Sequence, residues 1–171
     1  FTMLKLTQYL VLLAIGLCSA SPLGIAQPAT FENNVLSIPQ VATLINDEAL
    51  YYNDIQLAAD SEGNFTLLAA QQSTLVSVEN VLVSVAESLP VQVSLSVTGN
   101  KSVPCVDLQT PAIFRNEFTF TVALAETNLG PAESCIAVLD PFETTIPLDI
   151  TGLNSGIYTV NVNGVESSFS L

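Results

Sequence analysis

Histidine and tryptophan are missing from this 171-residue chain, and lysine and arginine together number three. Each shortage removes a class of function. A serine or cysteine nucleophile needs a neighbouring base, usually imidazole, so the common triads and dyads are excluded. A zinc site is disfavoured as well, because a few thiols without imidazole do not make up the usual soft ligand set. Lys5, Lys101 and Arg115 lie far apart and face sixteen Asp and Glu, giving a net charge of −13 and a pI near 4.1. Nucleic-acid binding requires clustered cations that displace counterions, so it is excluded, and attraction to an anionic lipid surface is equally disfavoured. Sugar-binding sandwiches display Trp or Tyr platforms. Here four tyrosines are present, Tyr51-Tyr52 is the adjacent pair, and strand alternation must turn one of those rings inward.

The remaining routes to chemistry are thin. Lys101 falls in Gly99-Asn100-Lys101-Ser102, read as a solvated turn, and no Gly-rich phosphate loop or G-K-[ST] sequence occurs. Acid pairs could serve a hydrolase, and Asp47-Glu48, Asp60/Glu62 and Asp140/Glu143 are the candidates. All three read as solvated loop charges. Oxygen ligands for calcium could come from Asp60, Glu62 and Asn64, or from Asp140 and Glu143, yet no complete calcium-loop spacing is present. The expectation is no enzyme, no metal and no cofactor.

What the chain does have is an address at its start and β patterning after it. Lys5 precedes the apolar run Tyr9–Leu17, which is followed by small residues and Pro22. This is the pattern of a signal peptide, too short to span a bilayer comfortably. Cleavage after Ala20 or after Ala26 fits, with Met3 read as the initiator, so residues 1–26 are assigned to the signal and the start of a linker. Ile15-Gly16-Leu17-Cys18 resembles a bacterial lipobox except that Leu17 is large where a small residue is wanted. Lipidation at Cys18 therefore stays as an alternative to plain secretion. Membrane attachment is expected only through such an anchor.

An exported chain then retains Cys105 and Cys135, and two thiols in an oxidising compartment usually pair. One disulfide is predicted, Cys105 to Cys135, clipping a loop-bearing segment whose order the nearby turn-forming Pro104 and Pro131 favour.

Residues 29–72 read as a small antiparallel meander. Val41, Thr43 and Ile45 share a face; Tyr51, Asn53, Ile55 and Leu57 repeat at period two; Phe65, Leu67 and Ala69 do so after the turn Asp60-Ser61-Glu62-Gly63-Asn64. Pro39 implies an edge or a bend. Residues 76–171 carry enough strands for a two-sheet sandwich: Val81/Val83/Val85, then Val91/Val93/Leu95/Val97 ended by a turn at Gly99-Asn100. Next come Phe118/Phe120/Val122/Leu124 after a tight connection at Arg115-Asn116-Glu117, and Phe142/Ile146/Leu148/Ile150 with Pro147 marking an edge.

The final stretch, Gly156-Ile157-Tyr158-Thr159-Val160-Asn161-Val162-Asn163-Gly164-Val165, reads as a hairpin with a type I′ turn at Asn163-Gly164. Gly156 permits a reversal that Tyr158, placed as a tyrosine corner, would tie to the core. These residues resemble the last strand pair of immunoglobulin-like domains. More narrowly, with Ser88–Val93, the two cysteines and Pro141–Asp149, they resemble a recurrent C-terminal domain of bacterial secreted proteins and lipoproteins. The resemblance spans roughly the last 90 residues and implies an all-β, immunoglobulin-like antiparallel sandwich. It implies no catalytic residues, and Val160 stands where antibody domains place their second core cysteine.

The function expected is that of a non-catalytic, secreted or envelope module with a protein partner, or a spacer. A ligand-binding or inhibitor role for the loop Ala125–Ser134 is the alternative, and an acid-pair hydrolase the third reading.

Overall fold

The computed structural model describes residues 28–46, 48–130 and 133–171. The leader, the lipobox Cys18, Asp47 and Pro131 lie outside them. The described residues are all strand, turn and loop, and form three sheets.

The first sheet is an antiparallel meander of β1 (Thr30–Glu32), β2 (Val35–Ile45), β3 (Glu48–Ala59) and β4 (Phe65–Gln72), in that order. Asp60–Asn64 turns the chain between β3 and β4, and the Asp60 carboxylate holds the turn by accepting the Glu62 and Asn64 backbone N–H and the Asn64 amide. Pro39 sits where β1 no longer reaches, since the pairing of β1 with β2 stops at Ser37. Its missing N–H therefore falls on a free edge.

The other two sheets form a sandwich. One is β5 (Ser77–Ala86), β6 (Gln92–Lys101) and β9 (Asp140–Leu148), in that order. The second runs β11 (Val165–Ser170), β10 (Ile157–Val162), β8 (Thr119–Ala123), β7 (Ala112–Asn116), with β8 and β10 parallel. Alternation places Val81, Val93, Leu95, Val97, Ile146 and Leu148 from one sheet against Phe120, Val122, Tyr158, Val160, Val162 and Phe169 from the other. Tyr158 and Phe169 stack at 5.4 Å, and Phe120 lies 6.1 Å from Tyr158. Such aromatic burial supplies much of the driving force for closing a small sandwich. The Tyr158 hydroxyl donates to the Asn154 carbonyl at 2.8 Å, which fastens the reversal before β10.

Several local readings change. Gly99 and Asn100 do not turn the chain; β6 continues through them to Lys101 and pairs with β9 as far as Asp140. Gly99 is needed there because a Cβ would collide with the Ser77 carbonyl, where β5 and β6 shift register between Val78 and Asn80. Ser88–Val91 lie in the connection before β6, and β9 ends at Leu148, ahead of Ile150. The β7–β8 turn is Glu117-Phe118, with Arg115 and Asn116 inside β7, so Phe118 is exposed and packs at a tilt against Tyr158, ring centroids 5.3 Å apart. Asp140 and Glu143 belong to β9 and not to a turn.

Asn163 and Gly164 have φ of 48° and 95° between paired Val162 and Val165, the type I′ arrangement. The Asn163 side chain does more than turn the chain. Its Nδ2 donates to the carbonyls of Val76 and Leu124 at 2.9 and 2.7 Å, and its Oδ1 accepts the Leu124 N–H at 3.0 Å. Asn163→Gly keeps the positive φ but removes all three bonds, leaving part-buried backbone groups unpaired. Urea unfolding is expected to show a loss of about 2–4 kcal/mol; an unchanged midpoint would mean that the turn needs only its backbone geometry.

Candidate functional site

The most heavily bonded end of the sandwich is where β6 finishes. Lys101, read as solvated, has a side chain only 13% exposed; its Nζ donates to the Val106 carbonyl at 2.6 Å and pairs with Asp140 at 2.8 Å. The carboxylate and the carbonyl offset the cost of desolvating the ammonium. Ser102 donates its N–H and its hydroxyl to the Glu126 carboxylate. Cys105 and Cys135 are joined, with Cα atoms 6.0 Å apart and 30 residues of separation, and both lie outside the strands. The bridge therefore clips the β6–β7 connection to the β8–β9 connection.

Beyond the bridge, Ile136, Val138 and Leu139 stand exposed, at 58–68%. The proposed recognition loop Ala125–Ser134 is not free along its whole length. Ala125 and Glu126 are buried, because residues past β8 are bridged on both sides, Leu75 to Ala125 and Leu108 to Glu126. Backbone bonds from Glu126 N to Thr74, from Gln109 N to Ala125 and from Thr127 N to Asp107 complete this short ladder.

The same ladder carries the first sheet. Ala49 and Tyr51 pack on Ala123 and Ala125, small side chains that permit close approach of the two layers. The Tyr51 hydroxyl donates to the Thr110 carbonyl at 2.9 Å, and burial raises its pKa above the ordinary phenol value. Buried Gln109 donates to the Glu126 carbonyl and the Ser73 hydroxyl, and accepts from Gln40; Ser73 also accepts from Asn53. Nothing in the sequence singled out Ser73, Gln109 or Glu126, which sit among ordinary polar residues with no spacing motif.

Chemical groups do not converge. Among the described residues no three of Cys, Asp or Glu are placed to share a metal ion. Asp60 spends its carboxylate on the turn, where bonds from the Asn64 side chain and backbone hold its pKa below the usual value. Asp140 is engaged by Lys101. A wide cleft of about 730 Å³ between Ala86, Val91–Ser94 and Pro147–Gly152 has Asp149 as its one acid, and Thr151 bonds keep that pKa low.

Residues 95–171 match the family model of the ORF11 beta-sandwich domain. The matched segment begins inside β6, takes in both cysteines and the Tyr158 hairpin, and leaves out β5 and the first sheet. No curated protein and no solved structure matches the chain significantly. The match thus supports a β-sandwich and names no ligand.

Reduction, or the Cys105→Ser/Cys135→Ser pair, is expected to cost about 3–4 kcal/mol, from the entropy of closing a loop of this length. Far-UV circular dichroism should remain that of a β protein, because strand pairing and the buried Phe120, Val122, Tyr158 and Phe169 hold the sandwich together without the bridge. Alkylation of the folded protein without reductant checks the bridge itself: neither position should label.

Proposed function

We propose that the chain is a non-catalytic module that works outside the cytoplasm, secreted or in the cell envelope, by making protein contacts or spacing another surface. The reading rests on one observation above the others. The sandwich buries its own core, while exposed apolar side chains gather on the first sheet and at Ile136, Val138 and Leu139 beside the disulfide. Exposed clusters of this kind on an otherwise acidic surface are the mark of a contact site. The disulfide supports an oxidising compartment. An immunoglobulin-like kinship is supported by the Tyr158–Asn154 bond and the final hairpin.

The ligand-binding alternative shifts position. Its most exposed apolar side chains follow Cys135, since Leu129 before it is less exposed than Ile136, Val138 and Leu139, so Ile136–Leu139 replaces Ala125–Glu126 as the place to look.

A photo-crosslinking residue at position 136, introduced in the producing cell, is expected to yield a discrete protein adduct, whereas one at Ser170 on exposed β11 is not. Hydrolase turnover by the purified chain that disappears with Asp140→Asn or Glu143→Gln would overturn the reading.

A further inference from the structure

The sheet edges of this molecule are not protected equally. Edge strand β9 carries Pro141 and Pro147 with Asp140 and Glu143, β7 is five residues long with Arg115, and β1 has three residues. These are the usual devices that stop a free strand from pairing with another chain. Strand β4 is different. It runs eight residues, Phe65–Gln72, without a charge or a proline, and every residue is exposed. Among the described residues no strand pairs with its outer edge. On the inner side its pairing with β3 shifts register twice, between the Asn53–Gln71 and Gln56–Ala69 pairs and again at Leu68, between the Gln56–Ala69 and Leu57–Leu67 pairs.

Side chains add to the backbone. Phe31, Leu36, Leu57 and Leu67 are directly opposed across the four strands, so they form one apolar row on one face of the sheet. Phe31 and Leu67, at its two ends, are 57% and 60% exposed. Phe65 lies two residues from Leu67 and extends the same face along β4. The row stops at β4, where a further strand would continue it.

Charge selects what that strand can be. Residues 28–72 hold Glu32, Asp47, Glu48, Asp54, Asp60 and Glu62, and no lysine or arginine. Asp60 and Glu62 form the turn that leads into β4, and Glu48 lines a cleft shared with Gln72 at its other end. A second copy of this chain would bring a second such set of carboxylates into one continuous sheet, which like-charge repulsion opposes. A cationic strand would meet acids at both ends.

We propose that the outer edge of β4 is a strand-addition site for an extended protein segment that alternates apolar and cationic residues. Main-chain bonds to β4 hold the segment, its apolar side chains extend the Phe31–Leu67 row, and its cations face the flanking carboxylates. The proposal deepens the contact-module reading and rests on it.

The probe is an alternating lysine–valine octapeptide, added to the full chain and followed by fluorescence anisotropy and amide hydrogen exchange. It is expected to bind and to slow exchange at least tenfold within residues 65–72. An alternating glutamate–valine peptide, and the lysine–valine peptide N-methylated at every residue, are expected to bind at least tenfold more weakly. Glu48→Gln with Glu62→Gln should lower affinity several-fold, and added salt should act in the same direction. Equal binding of the N-methylated peptide would overturn strand addition in favour of charge alone. Slow exchange, in the free chain, of the β4 amides that face away from β3, with or without a dimer by sedimentation, would overturn it because the outer edge is already occupied. A crosslinked adduct at position 136 alongside such a failure would leave the broader contact reading in place.

Discussion

The run Phe120–Glu126 is buried on both of its faces, and the rest of the molecule is arranged around it. One set of its side chains, Phe120, Val122 and Leu124, fills the sandwich. The other, Ala123 and Ala125, is covered by Ala49 and Tyr51 of the first sheet. A strand covered on both sides must satisfy its backbone completely, and here it does so against β7, β10, Thr74–Val76 and Asp107–Gln109. Alanine at the outer positions is what lets a second layer come close enough to exclude water.

That arrangement explains why the polar cluster of Ser73, Gln109, Gln40 and Asn53 lies where it does. At the seam between the two layers, backbone bonding from β8 ends and side chains take over the pairing. A buried amide such as Gln109 is tolerable only because each of its groups has a partner. The first sheet is thus attached at one end. Strand β3 has twelve residues, about 40 Å at the rise of an antiparallel strand, and it reaches the seam through its Ala49–Asn53 end. Toward the Asp60 turn, Leu57 is half-buried and Phe65, Leu67 and Leu68 of β4 stand in water.

The disulfide belongs to a different economy. It joins two connections and no strands, and together with Lys101–Asp140 and Ser102–Glu126 it restrains the end of the sandwich from which Ile136, Val138 and Leu139 project. Its place in the loops, away from the sheets, fits a core closed by Tyr158, Phe120 and Phe169 without a covalent pin.

Much of this was legible in the residues alone. Period-two alternation at Val93–Val97 and at Tyr158–Val162 announces half-buried strands wherever it occurs, and Asn163-Gly164 requires positive φ, so the all-β class and the last hairpin were set by local chemistry. The pairing of Cys105 with Cys135 followed from their being the two thiols left in the chain after residue 26. Where a glycine, a lysine or an aromatic served a distant neighbour, local rules failed. Gly99 marks close approach to Ser77 and no turn, Lys101 is drawn down by Asp140, and Phe118 caps a turn over Tyr158. The change from Thr119 and Thr121 to Ala123 and Ala125, along one face of β8 and just past its end, was visible too, but a row of small side chains does not say what will cover it. Only the tertiary structure could decide that the first sheet does, because the contact joins residues some 75 positions apart in the chain and depends on their shapes together.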